Sequence, residues 1–266
     1  MKKGICLIAL FTIATMACQR VPITGRRQVN LVDENQMISM SLTSYKEFLA
    51  KNPPAPATDM NAEMVKNIGA KMQKAVEAFM KEKGLSNRLD GYQWEFNLVN
   101  SKEVNAWCMP GGKVVVYTGL LPVTQTEPAL ACVMGHEIAH AVARHGNERM
   151  SQGLLVELGG AALSVALSQK PQATQDIFLQ SYGVTSQLGM LKYSRTHESE
   201  ADKMGLVFMA LAGYDPNEAV TFWDRMAKAT AGNAPPEILS THPSDETRIA
   251  DIKAFLPEAM KYYKKK

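Results

Sequence analysis

The chain has 266 residues, of which 46% are hydrophobic and 21% are charged, and its formal net charge is +3. This length suits one or two domains, and this composition excludes a chain that is disordered over most of its length. The small net charge gives no electrostatic case for nucleic acid as a partner.

The first residues are typical of a targeting segment. Lys2 and Lys3 precede an apolar stretch, Ile5 to Ala14, which is too short to span a membrane with such flanks. The sequence then resembles a bacterial lipobox, because a small residue stands directly before Cys18, although Thr15 occupies a position where Leu is usual. An ordinary secretory signal that is cleaved nearby is the alternative, and both interpretations export the protein.

We therefore predict a signal peptide over residues 1–17, lipid attachment at Cys18, a lipidated N-terminal tether over residues 18–32, and a single folded domain over residues 33–266. The predicted location is the periplasm, with a lipid anchor in the outer membrane, since Gln19 rather than Asp follows Cys18. Cys108 and Cys132 remain outside this segment. They could pair, but two buried free thiols are favoured.

The hydrophobic spacing predicts a mainly helical α+β fold. Helical periodicity covers these ranges in chain order: 34–49, 59–83, 127 onward, 187–211, 216–229 and 245–261. Asp59 is the predicted N-cap of the second helix, and Pro128 lies in the first turn of the third.

Between these helices the period changes to two. Alternating residues from Tyr92 to Leu98, then Val104 to Met109 and Lys113 to Thr118, predict three strands in a small antiparallel sheet. The last strand is predicted to offer an edge to an extended peptide substrate. The alternative is an internal strand with both edges paired.

The most informative motif is His136-Glu137-Ile138-Ala139-His140. Residues four apart lie on one face of a helix, so both imidazoles can reach one metal ion. Glu137 lies about 100° around the helix, beside the metal, where a carboxylate can accept a proton from bound water. A helix face with coincidental histidines is the alternative, but the surrounding apolar residues would then bury unpaired polar groups.

A catalytic zinc ion usually has three protein ligands and one open position. Glu198 is the predicted third ligand, and Asp202, one turn later, is predicted to accept a hydrogen bond from the other nitrogen of a ligand histidine. Glu200 is assigned to a solvated face, and His197 lacks this pairing with Asp202. His145 is predicted to have a surface or capping role.

The motif HExxH followed by ExxAD resembles the gluzincin metallopeptidases of family M48, which includes HtpX-like, Oma-like and CAAX-prenyl-protease-like enzymes. The lipoprotein-type branch without multiple membrane spans is the most similar. The segments 21–26, 105–121, 194–195, 212–216 and 241–244 agree with that family. The resemblance covers about residues 18–255 and implies a zincin-like fold, with the small sheet beside the active-site helix, and one zinc ion.

The resemblance implies peptide hydrolysis, with Glu137 as the general base. A further donor should stabilise the oxyanion. His242 is the first candidate, with Arg248 and Tyr193 behind it. His242 could instead occupy the open zinc position and hold the enzyme inactive, or simply pack at a helix entry. The segment 154–167 is a candidate lid, with core packing as the alternative.

The predicted function is a zinc metalloendopeptidase that cleaves unfolded or misassembled cell-envelope proteins, with polypeptides and a membrane as partners. The quality-control role comes from the resemblance alone. A latent or non-catalytic zinc-containing chaperone or scaffold is the alternative, and Glu137 argues against it because a structural site needs no base. A hydrolase of another bond class, such as a cell-wall amidase, is a third hypothesis.

Overall fold

The computed structural model describes residues 18–158, 171–182, 194–230, 238, 242 and 247–264. The helices are α1 (Glu34–Lys51), α2 (Met60–Glu82), α3 (Leu121–Thr124), α4 (Glu127–Ala143), α5 (His145–Leu158), α6 (Pro171–Ser181), α7 (Arg195–Leu211), α8 (Glu218–Thr230) and α9 (Arg248–Ala259). The strands are β1 (Cys18–Arg20), β2 (Arg27–Val29), β3 (Glu95–Val99), β4 (Ala106–Met109) and β5 (Lys113–Tyr117). Short 3₁₀ helices cover Ser86–Leu89, Thr118–Leu120 and Met260–Tyr262.

The predicted fold class, a mainly helical α+β fold with a small sheet beside the motif helix, is confirmed. The predicted cap of α2 is also present, since the Asp59 side chain accepts hydrogen bonds from the amides of Asn61 and Ala62. Cys108 and Cys132 are buried free thiols, as favoured. None of the helices within the described residues is long and apolar enough to cross a membrane.

The sheet has the order β3-β5-β4, and its pairing differs in one respect from the prediction. β4 and β5 form an antiparallel hairpin whose turn contains Gly111 and Gly112 at positive φ. β3 pairs with β5 in parallel, so the sheet is mixed rather than purely antiparallel. The reason is that the chain passes from β3 to the far side of β5 before it enters β4.

This order corrects the prediction that the strand from Lys113 to Thr118 has a free edge. β5 is the central strand and pairs on both sides, which was the alternative interpretation. The outer side of β3 is partly covered, because the amide of Ala55 donates to the carbonyl of Leu98. Within the described ranges no further strand pairs with β4, which is therefore the strand with an outer edge.

Helix α4 lies at the centre of the domain. Thr126 caps its N-terminus by accepting a hydrogen bond from the amide of Ala129, and Arg144 ends it in the left-handed region, at φ 62°. Every residue from Ala129 to Ala143 is buried, because α4 packs between the sheet and α7. A helix that is buried on all sides belongs to the core, so its polar residues need partners from other elements.

Residues 18–30 form an antiparallel hairpin of β1 and β2, which we call the N-terminal hairpin. It packs firmly on the domain: Val21 is 1% exposed, and the buried Arg88 donates to the carbonyls of Arg20 and of Val142 in α4. The predicted tether thus contains an ordered element. Cleavage before Cys18 and its lipidation stay predictions.

Candidate metal centre

The two motif histidines lie one turn apart on α4, and their rings face the same point. The Nε2 atoms of His136 and His140 are 3.0 Å apart, with ring centroids 4.6 Å apart. Both side chains are buried. The helical spacing therefore produces the convergence that the sequence predicts.

A glycine contact brings a second helix against this face. A Cβ atom on Gly135 of α4 would lie 3.0 Å from the carbonyl oxygen of Gly205, and one on Gly205 of α7 would lie 2.9 Å from the amide nitrogen of His136. The helix backbones can approach this closely only because neither residue has a side chain. Asp202 and Glu198, about one and two turns earlier on α7, consequently reach the histidines.

His136, His140, Glu198 and His242 form a buried cluster, called here the donor cluster, in which one potential ligand atom from each residue lies within 4.8 Å of the others. Glu198 carboxylate oxygens lie 3.4 Å from Nε2 of His136 and 3.4 Å from Nε2 of His140. Nδ1 of His242 is 3.1 Å from Glu198 Oε1 and 3.3 Å from His136 Nε2.

The donor set fits a zinc ion. Imidazole nitrogens and a carboxylate oxygen are ligands that zinc prefers, and these ones already converge. Burying this many potential metal-ligand atoms together without a cation between them costs free energy. A buried carboxylate oxygen of Glu198, Oε2, makes no hydrogen bond among the described residues, although Arg248 lies 3.1 Å from it as an ion-pair partner.

Glu137 lies beside the donor cluster rather than in it. Its Oε1 atom is buried and has no hydrogen-bond donor among the described residues, and His242 Nε2 is 3.6 Å away. Burial raises the pKa of this carboxyl above its ordinary value, an effect only partly opposed by His242 and His136. A carboxylate with a raised pKa next to a metal position is well suited to accept a proton.

A carboxylate contacts His136 on the side of its ring that faces away from the donor cluster. Its Nδ1 atom lies 2.9 Å from Oδ1 of Asp202, and Arg248 in turn donates to both oxygens of Asp202 at 2.8 and 2.9 Å. Arg248 also reaches Glu198 Oε2 at 3.1 Å and stacks on the ring of Trp223 at 3.4 Å. Arg248 therefore neutralises two buried carboxylates. This role differs from the predicted one, in which Arg248 was a candidate donor to the oxyanion.

The electrostatics of His140 and Glu198 favour the protonation states that bind a cation, whereas those of His136 do not. Burial lowers the pKa of His140 well below its ordinary value. Burial alone would raise the pKa of Glu198, but His242 and the hydrogen bonds from His136 and His140 outweigh it and lower that pKa. Burial would also lower the pKa of His136, yet Asp202 and Glu198 raise it to about 9, so a bound divalent cation would have to displace a proton from His136.

Two residues that the sequence assigned to the surface, His145 and Glu200, are buried behind the donor cluster together with His197. Nδ1 of His145 lies 3.0 Å from Nδ1 of His140, and Nε2 of His145 lies 3.1 Å from Glu200 Oε2. Nε2 of His197 lies 3.1 Å from Glu148 Oε2. The predictions of a surface role for His145 and a solvated face for Glu200 are therefore wrong.

The error at His145 has a structural cause. The prediction continued α4 past His140 at a constant angle, but the helix ends at Arg144, and His145 begins α5 in a new direction. Glu200 was judged by neighbours on its own helix, whereas its partner Arg26 is 174 residues away. Tyr193, and the candidate lid beyond residue 158, lie outside the described residues.

The sequence profile of peptidase family M48 matches residues 68–256. The chain belongs to peptidase family M48. It is also 33% identical over 241 residues to "Mitochondrial metalloendopeptidase OMA1" of Schizosaccharomyces pombe, an alignment that covers 90% of the chain and 66% of that relative. The predicted class of enzyme, a metalloendopeptidase, is confirmed by this membership.

Two further relatives match different shares of the chain. "Mitochondrial metalloendopeptidase OMA1" of Saccharomyces cerevisiae is 30% identical over 257 residues, 92% of the chain and 70% of that protein. "Beta-barrel assembly-enhancing protease" of Escherichia coli strain K12 is 34% identical over 165 residues, 60% of the chain and 34% of that protein. The chain thus spans about two thirds of the yeast relatives and a third of the bacterial one.

These relatives correct one prediction. The sequence predicted a periplasmic protein with a lipid anchor in the outer membrane, but relatives with matches over about 90% of the chain are named as mitochondrial. The predicted localisation is therefore wrong on these comparisons. Its weakness was that it depended on a few residues around Cys18, outside the region that the family profile matches, residues 68–256.

Proposed function

We propose that this M48 protein is a zinc-dependent endopeptidase in which His136, His140 and Glu198 hold one zinc ion and Glu137 is the general base. The observation that carries the proposal is the convergence of buried ligand atoms within 4.8 Å, next to a buried Glu137 oxygen without a hydrogen-bond donor in the described part of the chain. Asp202 keeps His136 oriented from the opposite side.

Zinc in this site supplies a Lewis acid for the peptide carbonyl and a water whose pKa is lowered toward about 7. Glu137 accepts the proton of the attacking water at its carboxylate and transfers it to the leaving nitrogen. The raised pKa of Glu137 brings its proton affinity closer to neutral pH, where both transfers are feasible.

An extended polypeptide is the proposed substrate. β4 is an outer strand that packs directly against α4, so a peptide added to its edge would run alongside the motif helix. Backbone hydrogen bonds would then provide most of the affinity, with little selection for side chains. Unfolded or misassembled proteins present such segments, and an assembly role is named for the E. coli relative.

His242 supports a proposal about the resting state. Its Nδ1 atom faces Glu198 and His136 at the same point as the other ligand atoms, which favours a fourth zinc ligand over an oxyanion donor. A fourth protein ligand fills the position that a catalytic site keeps open, so the enzyme would be latent while His242 occupies it.

The test pairs zinc content with cleavage of casein for wild type, Glu137→Gln and His242→Ala. We expect one zinc per chain in all three, cleavage by wild type that is faster in His242→Ala, and a rate at least about 100-fold lower in Glu137→Gln. Equal cleavage by wild type and Glu137→Gln would contradict the role of Glu137. Zinc without cleavage in both wild type and His242→Ala would favour the non-catalytic scaffold.

A further inference from the structure

A second buried polar cluster lies behind His140, on the side away from the donor cluster. We call it the outer cluster, and it joins the N-terminal hairpin to helices α5 and α7. Its members are Thr24, Arg26, His145, Glu148, His197 and Glu200. The family motifs HExxH and ExxAD include only Glu200 among these residues, and the proposed chemistry uses none of them.

The contacts from His140 to Glu200 allow one arrangement of protons. Because Nε2 of His140 faces the donor cluster and must be unprotonated to bind metal, Nδ1 carries the proton and donates to Nδ1 of His145, 3.0 Å away. His145 is then protonated on Nε2, which donates to Glu200 Oε2 at 3.1 Å. Glu200, as an ionised acceptor, thus fixes the tautomer of both rings.

The hairpin holds Glu200 in place. Nε of Arg26 donates to both carboxylate oxygens of Glu200 at 2.9 and 3.0 Å, and the hydroxyl of Thr24 donates to Oε1 at 2.7 Å. The other end of the guanidinium donates to Glu148 at 2.7 and 2.9 Å. Since Glu200 is 3% exposed, it depends on these donors for compensation of its charge.

Two other interpretations of the outer cluster fit less well. A second metal site is disfavoured, because the guanidinium of Arg26 already lies between the two carboxylates and would repel a cation. A purely structural anchor for the hairpin would need only the Glu148 contact, together with Arg88. It would not need the directed hydrogen bonds that end on His140.

We propose that Thr24 and Arg26 of the N-terminal hairpin, acting through Glu200 and His145, are positioning residues that hold His140 in the tautomer and orientation that bind the metal. This inference rests on the proposed function, since it assigns His140 to the metal. It predicts that the hairpin contributes to metal affinity although none of its atoms lies in the donor cluster.

Glu200→Gln and Glu148→Gln make a matched pair, because both neutralise a carboxylate on the same guanidinium and only Glu200 contacts His145. Zinc affinity is measured by competition with a chromophoric chelator, the Co²⁺ form is examined by visible absorption, and the Tm of metal-free protein reports stability. We expect Glu200→Gln to bind zinc at least tenfold more weakly with an altered Co²⁺ spectrum, and Glu148→Gln to stay within threefold with an unchanged spectrum.

Equal zinc affinities in the two variants would overturn the proposal, whether both are lowered or both match wild type. His145→Phe is the second variant, expected to match Glu200→Gln. If it does not fold, Thr24→Val removes a single donor to Glu200 and should weaken zinc binding about threefold with little change in Tm. Zinc binding without casein cleavage in both wild type and His242→Ala would contradict the proposed function and leave this affinity comparison intact.

Discussion

The two motif histidines are supported in different ways, one by residues of the helical core and the other through the N-terminal hairpin. The Asp202 arm, Asp202 with Arg248, contacts His136 directly and lies wholly within α7 and α9. The Glu200 arm, His145 and Glu200 with Arg26 and Thr24, contacts His140 through a second imidazole and ends in the N-terminal hairpin. One arm is short and fully buried, whereas the other is longer and reaches a partly exposed guanidinium.

The largest expected effect comes from removing the cation of each arm. Arg248→Met leaves Asp202 and Glu198 buried without their guanidinium, and we expect the free energy of unfolding to fall by about 3–5 kcal/mol. Arg26→Met is the matched variant on the other arm. Its partners can partly rehydrate, because the Arg26 side chain is 26% exposed, so we expect a loss of about 1–2 kcal/mol. Urea denaturation of the metal-free proteins would measure both, and equal losses would show that the arms are equivalent.

Both arms depend on the contact between α4 and α7. Gly205→Ala would place a Cβ atom 2.9 Å from the backbone of His136, so the helices must separate. We expect a loss of about 1–3 kcal/mol in stability and a fall in zinc affinity, since Glu198, Glu200 and Asp202 all move with α7. Lys203→Ala on the same helix is the control. Unchanged zinc affinity in Gly205→Ala would mean that the crossing distance does not set the site.

Acid should weaken the contacts between the N-terminal hairpin and the rest of the domain at the end of the Glu200 arm. Burial alone would raise the pKa of Glu148, but Arg26 and His197 outweigh it and lower the pKa to about 2. Because the folded pKa is depressed from 4.5, the stabilisation is present above about pH 4.5 and is lost as the pH falls toward 2. We expect hydrogen exchange in residues 18–30 to accelerate as the pH falls through this window. The acceleration should correspond to a decrease on the order of 1–2 kcal/mol in the free energy of local opening. Glu148→Gln should remove only part of the response, because the pKa of Glu200 is also lowered to about 2, where hydrogen bonds from His145, Arg26 and Thr24 outweigh burial. An equal acid response in that variant would exclude Glu148 as a source.

The smallest expected effect concerns the start of α7, which both arms share. The Ser194 side chain caps α7 by accepting from the amide of His197, and Asp59 caps the distant α2 in the same way. Ser194→Ala and Asp59→Ala should each reduce stability by about 1 kcal/mol. Only Ser194→Ala should weaken zinc binding, because Glu198 lies in the first turn of α7. Similar zinc affinities for the two variants would show that the first turn is held by its tertiary contacts alone.

Periodicity made the helices, the Asp59 cap and the two pairs, His136 with His140 and Glu198 with Asp202, predictable, because each of these relations extends over one turn of a single helix. The expectation that the two pairs meet came from the usual ligand count of a catalytic zinc ion and from the resemblance to family M48. The Glu200 arm was not predictable from such spacing. It depends on a helix that ends at Arg144 and on a pairing across 174 residues, neither of which a local pattern encodes. The edge of the sheet was misassigned for the same reason, since strand order depends on where the β3–β4 connection crosses.

The N-terminal hairpin has a consequence for the order in which the enzyme matures. Thr24 and Arg26 are synthesised first, but their partner Glu200 is made more than 170 residues later, after the helix that carries the motif histidines. A nascent chain that has completed α4 and α5 holds the two histidines and Glu137 without Glu198, Asp202 or Glu200. The donor cluster can therefore assemble only after α7 and His242 have been translated, when α4 and α5 are already available to fold around it.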